Sequence, residues 1–246
     1  MGGWLNMTYT LNAAHLYGDL MNTYGDIGNI LAMGYYAKAV DATITTDLIS
    51  LDDPFEPDKY DFVLFGGGQD YEQTIVSKDL QTKKAPLTAY IENGGPFLAI
   101  CGGFQMLGHY YIGAKGEKIP GIGALDHYTL SQDNNRFIGN ITIKNAETGQ
   151  TYYGFENHNG TTFLGEGERP LGNVIQGHGN NGKDQTEGVI YKNTFGSYFH
   201  GPILARNEAL AKRILKLALQ RKYPDADFSA LDELHEDLTK NVVIKP

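Results

Sequence analysis

Over its first 110 residues the chain alternates short apolar runs with longer stretches whose apolar positions recur every three or four residues. That order builds a parallel sheet covered by helices on both faces. Residues 11–17 predict a strand and residues 20–40 a helix, with Leu20, Ile27, Ile30, Leu31 and Gly34 near helical spacing. Residues 42–51 form a second strand in this reading. The run DFVLF (61–65) reads as a buried strand that ends in a tight loop at Gly66, Gly67 and Gly68. A helix over 71–92 should stop at Asn93, Gly94 and Gly95, a stop reinforced by Pro96. Residues 96–100 then give the next buried strand and 102–111 the next helix.

After Gly113 glycine, asparagine and threonine become dense, and β-type segments follow at 137–144, 150–155 and 188–191. The second half is therefore expected to be rich in antiparallel strands and loops. Helical spacing returns at 207–222, where Leu210, Ile214, Leu217 and Ala218 share a face, and a last polar helix is expected at 228–238. No repeat, low-complexity tract or long linker divides the chain, which reads as one α/β domain over residues 1–246.

The net charge of -9, from 20 Lys and Arg against 29 Asp and Glu, argues against nucleic acid and anionic lipid as partners. No apolar run approaches the ~20 residues that cross a bilayer, and the N-terminus lacks the pattern of a secretory signal. A cytosolic location is expected. Cys101 is the one cysteine in the chain, so neither an internal disulfide nor a Cys-rich zinc site is available.

Cys101 lies where the apolar strand PFLAI meets GGFQMLGHYY, a strand, elbow and helix. Such a corner pushes a side chain out over the sheet edge, and Gly102 and Gly103 leave room for a substrate. Unpaired N–H groups in the first helical turn should favour the thiolate and can hold a developing oxyanion, with the Gly66–Gly68 loop completing the pocket. A cysteine nucleophile needs a base, and the chain has seven histidines: His15, His109, His127, His158, His178, His200 and His235. His200 closes the β-type run TFGSYFH before Gly201 and Pro202, but spacing alone does not select it.

Two further segments could suggest other chemistry. GHGNNGKD (177–184) matches GxGxxG and most of a phosphate-binding loop, yet Asp184 stands where Ser or Thr would hold magnesium and a strand-like run follows. Glu156 and His158 in GFENHNG could be metal ligands, but no partner cluster accompanies them, and turn-forming or substrate-lining roles fit better.

Taken in order, LYGDLMNTYGDIGNILAM, FGGGQDYEQ, FLAICGGFQMLGHYY, RFIGN, GFENHNGTTFL, PLGNVIQGHGNNGKDQTEGVIY and SYFHGPILARN resemble the class I glutamine amidotransferases. The branch is the cobyric-acid-synthase-like one, and within it the glutaminase subunits of bacterial lipid II isoglutaminyl synthases. The resemblance implies a flavodoxin-like fold, Cys101 as nucleophile, His200 as general base, Gly67 and the Gly102 N–H as oxyanion hole, and Gln105 as a glutamine contact. It also places Arg136 on the glutamine α-carboxylate, where a guanidinium fork suits two oxygens.

It implies no cofactor in this chain, with ATP and magnesium held by a Mur-ligase-like synthetase partner (MurT) in a heterodimer. That partner would handle the lipid-linked substrate and could bring the complex to the inner face of the membrane. Another ATP-dependent amidating synthetase of the cobyric-acid type is the alternative recipient of the ammonia. A cysteine hydrolase or peptidase, and a scaffold without activity, are the competing classes. The chain departs from the family at Pro202, which stands where most members carry a glutamate two residues after the histidine. The site is then a dyad, or an acid reaches His200 from elsewhere in this chain or from the partner.

Overall fold

The computed structural model describes residues 9–113, 115–132 and 136–234. In chain order the first elements are β1 (Tyr9–Leu16), α1 (Gly28–Ala37), β2 (Ala42–Ile49), β3 (Phe62–Phe65), α2 (Asp70–Leu80), α3 (Lys84–Glu92), β4 (Phe97–Ile100) and α4 (Gly102–Leu107). Then come β5 (Tyr110–Ile112), β6 (Lys118–Pro120), β7 (Tyr128–Ser131), β8 (Phe137–Lys144), β9 (Thr151–His158), β10 (Gly160–Phe163) and β11 (Gly172–Gln176). The described residues close with β12 (Thr186–Glu187), β13 (Val189–Tyr191), β14 (Thr194–Ser197), β15 (Phe199–His200), α5 (Ile203–Arg206), α6 (Glu208–Lys222) and α7 (Ala230–Glu233).

The main sheet has the order β13-β14-β4-β3-β1-β2 and is parallel except for the β13–β14 hairpin. Its central strands are buried on both faces, and alternate residues serve opposite cores because strand side chains alternate in direction. Leu11, Ala13, Phe62, Leu64, Leu98 and Ile100 pack with α1, α5 and α6. Ala14, Leu16, Val63, Phe65, Phe97 and Ala99 pack with α2, α3 and α4. Cys101 touches both cores.

Two smaller sheets complete the molecule, with orders β10-β7-β5-β6 and β12-β11-β8-β9-β15. The second is antiparallel throughout, as the dense β-type segments of the second half suggest, and its Ile141, Ile143 and Tyr152 join the α6 side of the core.

The α/β class, the parallel order and the β-rich second half agree with the sequence reading; several boundaries do not. The helix expected over 20–40 starts only at Gly28, because residues 17–27 are consumed by turns in which Asn22 Oδ1 accepts the Ile27 N–H at 2.9 Å and Tyr24 has φ 63°. The helix expected over 71–92 is two helices joined by a 3₁₀ turn at Gln81–Lys83. Pro86 explains the restart: it lacks an N–H, and its ring would clash with the carbonyl four residues back. The helix expected to reach 111 ends at Leu107, and Tyr110–Ile112 pairs into a sheet instead. Within the expected 228–238 helix the described residues show α7 at Ala230–Glu233, and the part past residue 234 lies outside the described residues, as does His235. No described helix is long and apolar enough to cross a membrane.

Candidate active site

β4 and β14 are adjacent parallel strands, with Ile100 opposite Ser197, and Cys101 donates its N–H to the Ser197 carbonyl at 2.8 Å. Cys101 and His200 therefore leave the sheet side by side at the carboxyl ends of neighbouring strands, the edge at which open α/β sheets bind ligands. Cys101 has φ 49° and ψ -105°, a strained conformation for a residue with a Cβ. The strain is held by its own carbonyl, which accepts the Gln105 N–H at 2.9 Å, and by the Gly103 N–H donated to the Gly66 carbonyl at 3.1 Å. Gly103 is obligatory for this approach, since a Cβ there would lie 2.4 Å from the Phe65 carbonyl oxygen.

His200 is reached by a strand that changes sheets. After Ser197 the chain leaves the main sheet, and Phe199–His200 pairs with β9, placing His200 opposite Phe155. Buried Glu187 sits at the crossover, accepting the Tyr198 N–H at 2.7 Å and the Ser197 hydroxyl at 3.1 Å. A Cβ on Gly67 would lie 3.3 Å from Cys101 Cβ and 3.6 Å from His200 Cε1, so nucleophile and imidazole flank one point on the glycine loop.

That point opens into a cleft of about 530 Å³, lined by Cys101, His200, Gln105, Arg136, Asn157 and His158 among others. Gln105 is buried, donates its amide nitrogen to the Tyr198 hydroxyl at 3.2 Å, and leaves Oε1 unpartnered. Buried Gln73 does the same, with Nε2 on the Gly68 carbonyl at 3.0 Å and Oε1 free. Both glutamines line the cleft, and each keeps a buried carbonyl oxygen with acceptor capacity that a donor such as an ammonium group could use. Exposed Arg136 gives Nε to Asn157 Oδ1 at 2.5 Å and Nη2 to the Asn157 carbonyl at 3.2 Å. Asn157 in turn donates to the Tyr24 hydroxyl, and the Tyr24 ring rests against His200 with centroids 4.4 Å apart. Arginine and imidazole are thus joined by a continuous set of contacts.

The electrostatics differ from the sequence expectation at Cys101. The Gly102 N–H and Arg136 do favour the thiolate, but burial and the Asp26 and Asp70 carboxylates outweigh them and push the thiol up to about 12. A six-residue helix with one N–H on the sulfur is too weak a positive end to overcome desolvation. Burial also lowers His200 to about 4, with His158 and Arg136 lowering it further and a backbone contact to Asn157 opposing. The resting pair is a neutral thiol and a neutral imidazole. Neither ring nitrogen of His200 has a hydrogen-bond partner, and no carboxylate pairs with it among the described residues. Pro202, where the family glutamate would stand, packs against the start of α1 instead: a Cβ on Gly28 would meet its Cγ at 2.3 Å.

Gly67 adjoins both Cys101 and His200, but its N–H is already donated to Asp26 Oδ2 at 2.7 Å. Asp26, Asn157, Gln73 and Tyr24 were not singled out by the sequence. The available signal was the cluster of turn formers Asn22, Gly25 and Asp26 interrupting an apolar helical pattern.

The phosphate-loop look-alike has another use: the His178 and Gly179 N–H groups donate to the Glu156 carboxylate at 2.9 and 3.0 Å, and a strand follows. His158 lines the cleft, stacked on Tyr198 at 3.7 Å, with Nδ1 on the Gly160 carbonyl. Among the described residues no three His, Cys, Asp or Glu side chains converge as metal ligands.

A family model described as a CobB/CobQ-like glutamine amidotransferase domain matches residues 12–208. The chain is similar to the lipid II isoglutaminyl synthase (glutamine-hydrolyzing) subunit GatD of Streptococcus pneumoniae, 57% identical over 218 residues that cover 89% of this chain and 84% of that one. It is 40% identical over 236 residues to the subunit of the same name from Staphylococcus aureus, covering 96% of each chain. Among solved structures, a chain of PurLQS from Thermotoga maritima superposes with a TM-score of 0.59 at 16% identity, covering 86% of this chain and 99% of that one.

Proposed function

The chain belongs to the CobB/CobQ-like glutamine amidotransferase family, and from that membership we propose that it is the glutaminase subunit of a lipid II isoglutaminyl synthase. Cys101 and His200 release ammonia from glutamine. The ammonia passes to a Mur-ligase-like partner, MurT, which uses ATP and magnesium to amidate the α-carboxyl of D-glutamate in the peptidoglycan stem peptide. This chain brings no cofactor of its own, and the heterodimer works on the cytosolic side, where the lipid-linked substrate lies in the partner's site. The observation that carries the reading is the strained Cys101 elbow facing His200 in a cleft that also presents Gln105 and Arg136.

Glutamine docks with its α-carboxylate on the outer edge of the Arg136 guanidinium, whose inner edge Asn157 fixes, and its ammonium near the free oxygens of Gln105 and Gln73. The side-chain carboxamide then lies over Cys101. His200, neutral at rest, takes the thiol proton as sulfur attacks the amide carbon, giving a tetrahedral oxyanion held by the Gly102 N–H and, once free, the Gly67 N–H. The imidazolium returns the proton to the departing nitrogen, ammonia leaves, and a γ-glutamyl thioester remains. Water, deprotonated by His200, hydrolyses the thioester to glutamate. Each oxyanion donor is worth about 3 kcal/mol in comparable acyl transfers.

Among the described residues no carboxylate pairs with His200, and in this reading the partner supplies the acid that orients it, so that the free subunit is a poor glutaminase. Glutamate release by the subunit with and without the purified partner tests this. The complex should be far faster, Cys101→Ala should abolish the reaction in both, and a glutamine-like electrophile should label Cys101. Equal rates with and without partner would remove the partner's acid from the mechanism, and a silent complex would remove the glutaminase reading itself.

A further inference from the structure

We propose that Asp26 is a positioning residue of this site, a latch whose carboxylate holds the Gly67 N–H in the resting chain and must release it before that group can serve the oxyanion. The proposal rests on the glutaminase reading above. Its basis is the way two loops interlock. The Gly67 N–H donates to Asp26 Oδ2 at 2.7 Å, and the Gly67 carbonyl accepts the Thr23 N–H at 3.0 Å, so both polar groups of this residue are held by the loop between β1 and α1. Beside it, a Cβ on Gly66 would meet the Met21 carbonyl oxygen at 2.1 Å, so the backbones touch directly. The orientation of Gly67 is set by that loop.

Asp26 is itself firmly placed. It is 1% exposed, and its carbonyl accepts both the Asn29 N–H at 2.9 Å and the Asn29 side-chain amide at 3.0 Å. Among the described residues no cation pairs with it. A buried carboxylate is ordinarily kept by a cation or by several donors. Here a donor is the one backbone N–H that acyl-transfer chemistry at Cys101 would call on.

An anion on this N–H also faces the sulfur. Around Cys101, Asp26 and Asp70 oppose the thiolate while Arg136 and the Gly102 N–H support it. Holding Asp26 ionised therefore hinders the reaction twice, by occupying a donor and by repelling the charge that forms. Burial raises the Asp26 carboxyl to about 7, with the Gly67 N–H opposing, so its hold is weak enough to exchange near neutral pH. Movement of the β1–α1 loop would free the N–H without disturbing the elbow, which is tied to Gly66 and Ser197.

The test compares wild type, Asp26→Asn and Asp26→Ala, each as the full chain with and without its partner. Asn retains an acceptor but removes the charge, and a neutral acceptor holds an N–H roughly half as strongly as a carboxylate. Without partner, glutamine turnover should rise about tenfold in Asp26→Asn and more in Asp26→Ala, a fraction of the 10²–10³ an oxyanion donor is worth. In both variants the pH profile of Cys101 alkylation by iodoacetamide should move to lower pH, which a merely structural role would not produce. With partner present the gain should shrink, because the latch is then already open. Turnover that falls or stays level in a folded Asp26→Asn chain, with an unmoved alkylation profile, overturns the latch. Absence of glutamate release from the wild-type complex would refute the glutaminase reading instead, so the two failures are separable. If Asp26→Ala does not fold, Asp26→Asn decides.

Discussion

The neutral resting pair makes a direct prediction about thiol reactivity. Burial, with Asp26 and Asp70 adding to it against Arg136 and the Gly102 N–H, carries Cys101 from an ordinary 9 to about 12. At pH 8 the thiolate is then about 10⁻⁴ of the population rather than about 10⁻¹, a penalty of about 4 kcal/mol on the nucleophilic form. Because His200 lies near 4, it does not hold a compensating positive charge at neutral pH. Titrating the isolated chain with iodoacetamide from about pH 6 to about pH 10, with adducts counted by mass spectrometry, should show a rate that climbs about tenfold per pH unit without a plateau. At pH 8 it should run about 10³-fold below a free cysteine. Replacing His200 by alanine should leave the slope unchanged, since no ion pair is lost. A plateau below about pH 8, or a profile that collapses in His200→Ala, would mean a preformed thiolate–imidazolium pair and would refute the argument.

Four other outcomes follow from particular contacts. Gly103→Ala puts a Cβ 2.4 Å from the Phe65 carbonyl oxygen; it should cost about 1–3 kcal/mol in urea melts and remove glutaminase activity by displacing the elbow. His127, fully buried, sits between Glu168 Oε1 at 2.8 Å and the Phe104 carbonyl of α4 at 2.9 Å, so His127→Ala should destabilise by about 3 kcal/mol, and a loss under about 1 kcal/mol would contradict the brace. Arg136→Lys keeps the charge but loses the fork, so KM for glutamine should rise about tenfold with kcat nearly constant.

Burial raises Glu187 from 4.5 to about 8, against hydrogen bonds from Tyr198 and Ser197. A folded-state value above the unfolded one means stability is full below about 4.5 and is lost as pH rises through about 8. Thermal melts of Glu187→Gln should therefore match wild type near pH 5 and exceed it near pH 9. Equal melting temperatures at both would place the carboxylate in a wetter setting than the structure shows.

Continuous apolar runs made the parallel sheet legible, because strands such as FVLF and FLAI are buried on both faces and end at glycines or at Cys101. The elbow was legible for the same reason, since strand, Cys and double glycine are contiguous. The acid-free base was half legible: Pro202 announced that the local glutamate is missing, whereas the lack of a carboxylate from another element among the described residues depends on the tertiary packing. What stayed hidden depends on contacts between distant segments. Asp26 lies 41 residues from Gly67 and was read inside a helix, because Ile27, Ile30 and Leu31 keep helical spacing across a boundary set by Asn22 and Gly25. The sense of the Cys101 shift was hidden too. A helix N-terminus can be read from sequence, but desolvation and two carboxylates that outweigh it cannot.

Three features of the resting site act in the same direction although they come from different parts of the chain. The thiol is protonated because desolvation outweighs the groups that favour its anion, no carboxylate among the described residues orients the imidazole, with proline where the family glutamate would stand, and one backbone donor is held by a carboxylate on the β1–α1 loop. None of them blocks the cleft, which is open and keeps two unpartnered amide oxygens in place. A site built this way binds before it reacts. In the proposed mechanism its barrier lies in charge development, and it should fall when an acid reaches His200 and the loop gives up Gly67. For an enzyme whose product is ammonia, that ordering matters, since hydrolysis before a synthetase is docked would lose the nitrogen to solvent. The same physics sets the order of effects along the reaction: changes at Arg136 and Gln105 should act on KM, and changes at Asp26 and His200 on kcat. A variant at Asp26 that altered KM alone would show that the loop shapes the binding cleft rather than the barrier.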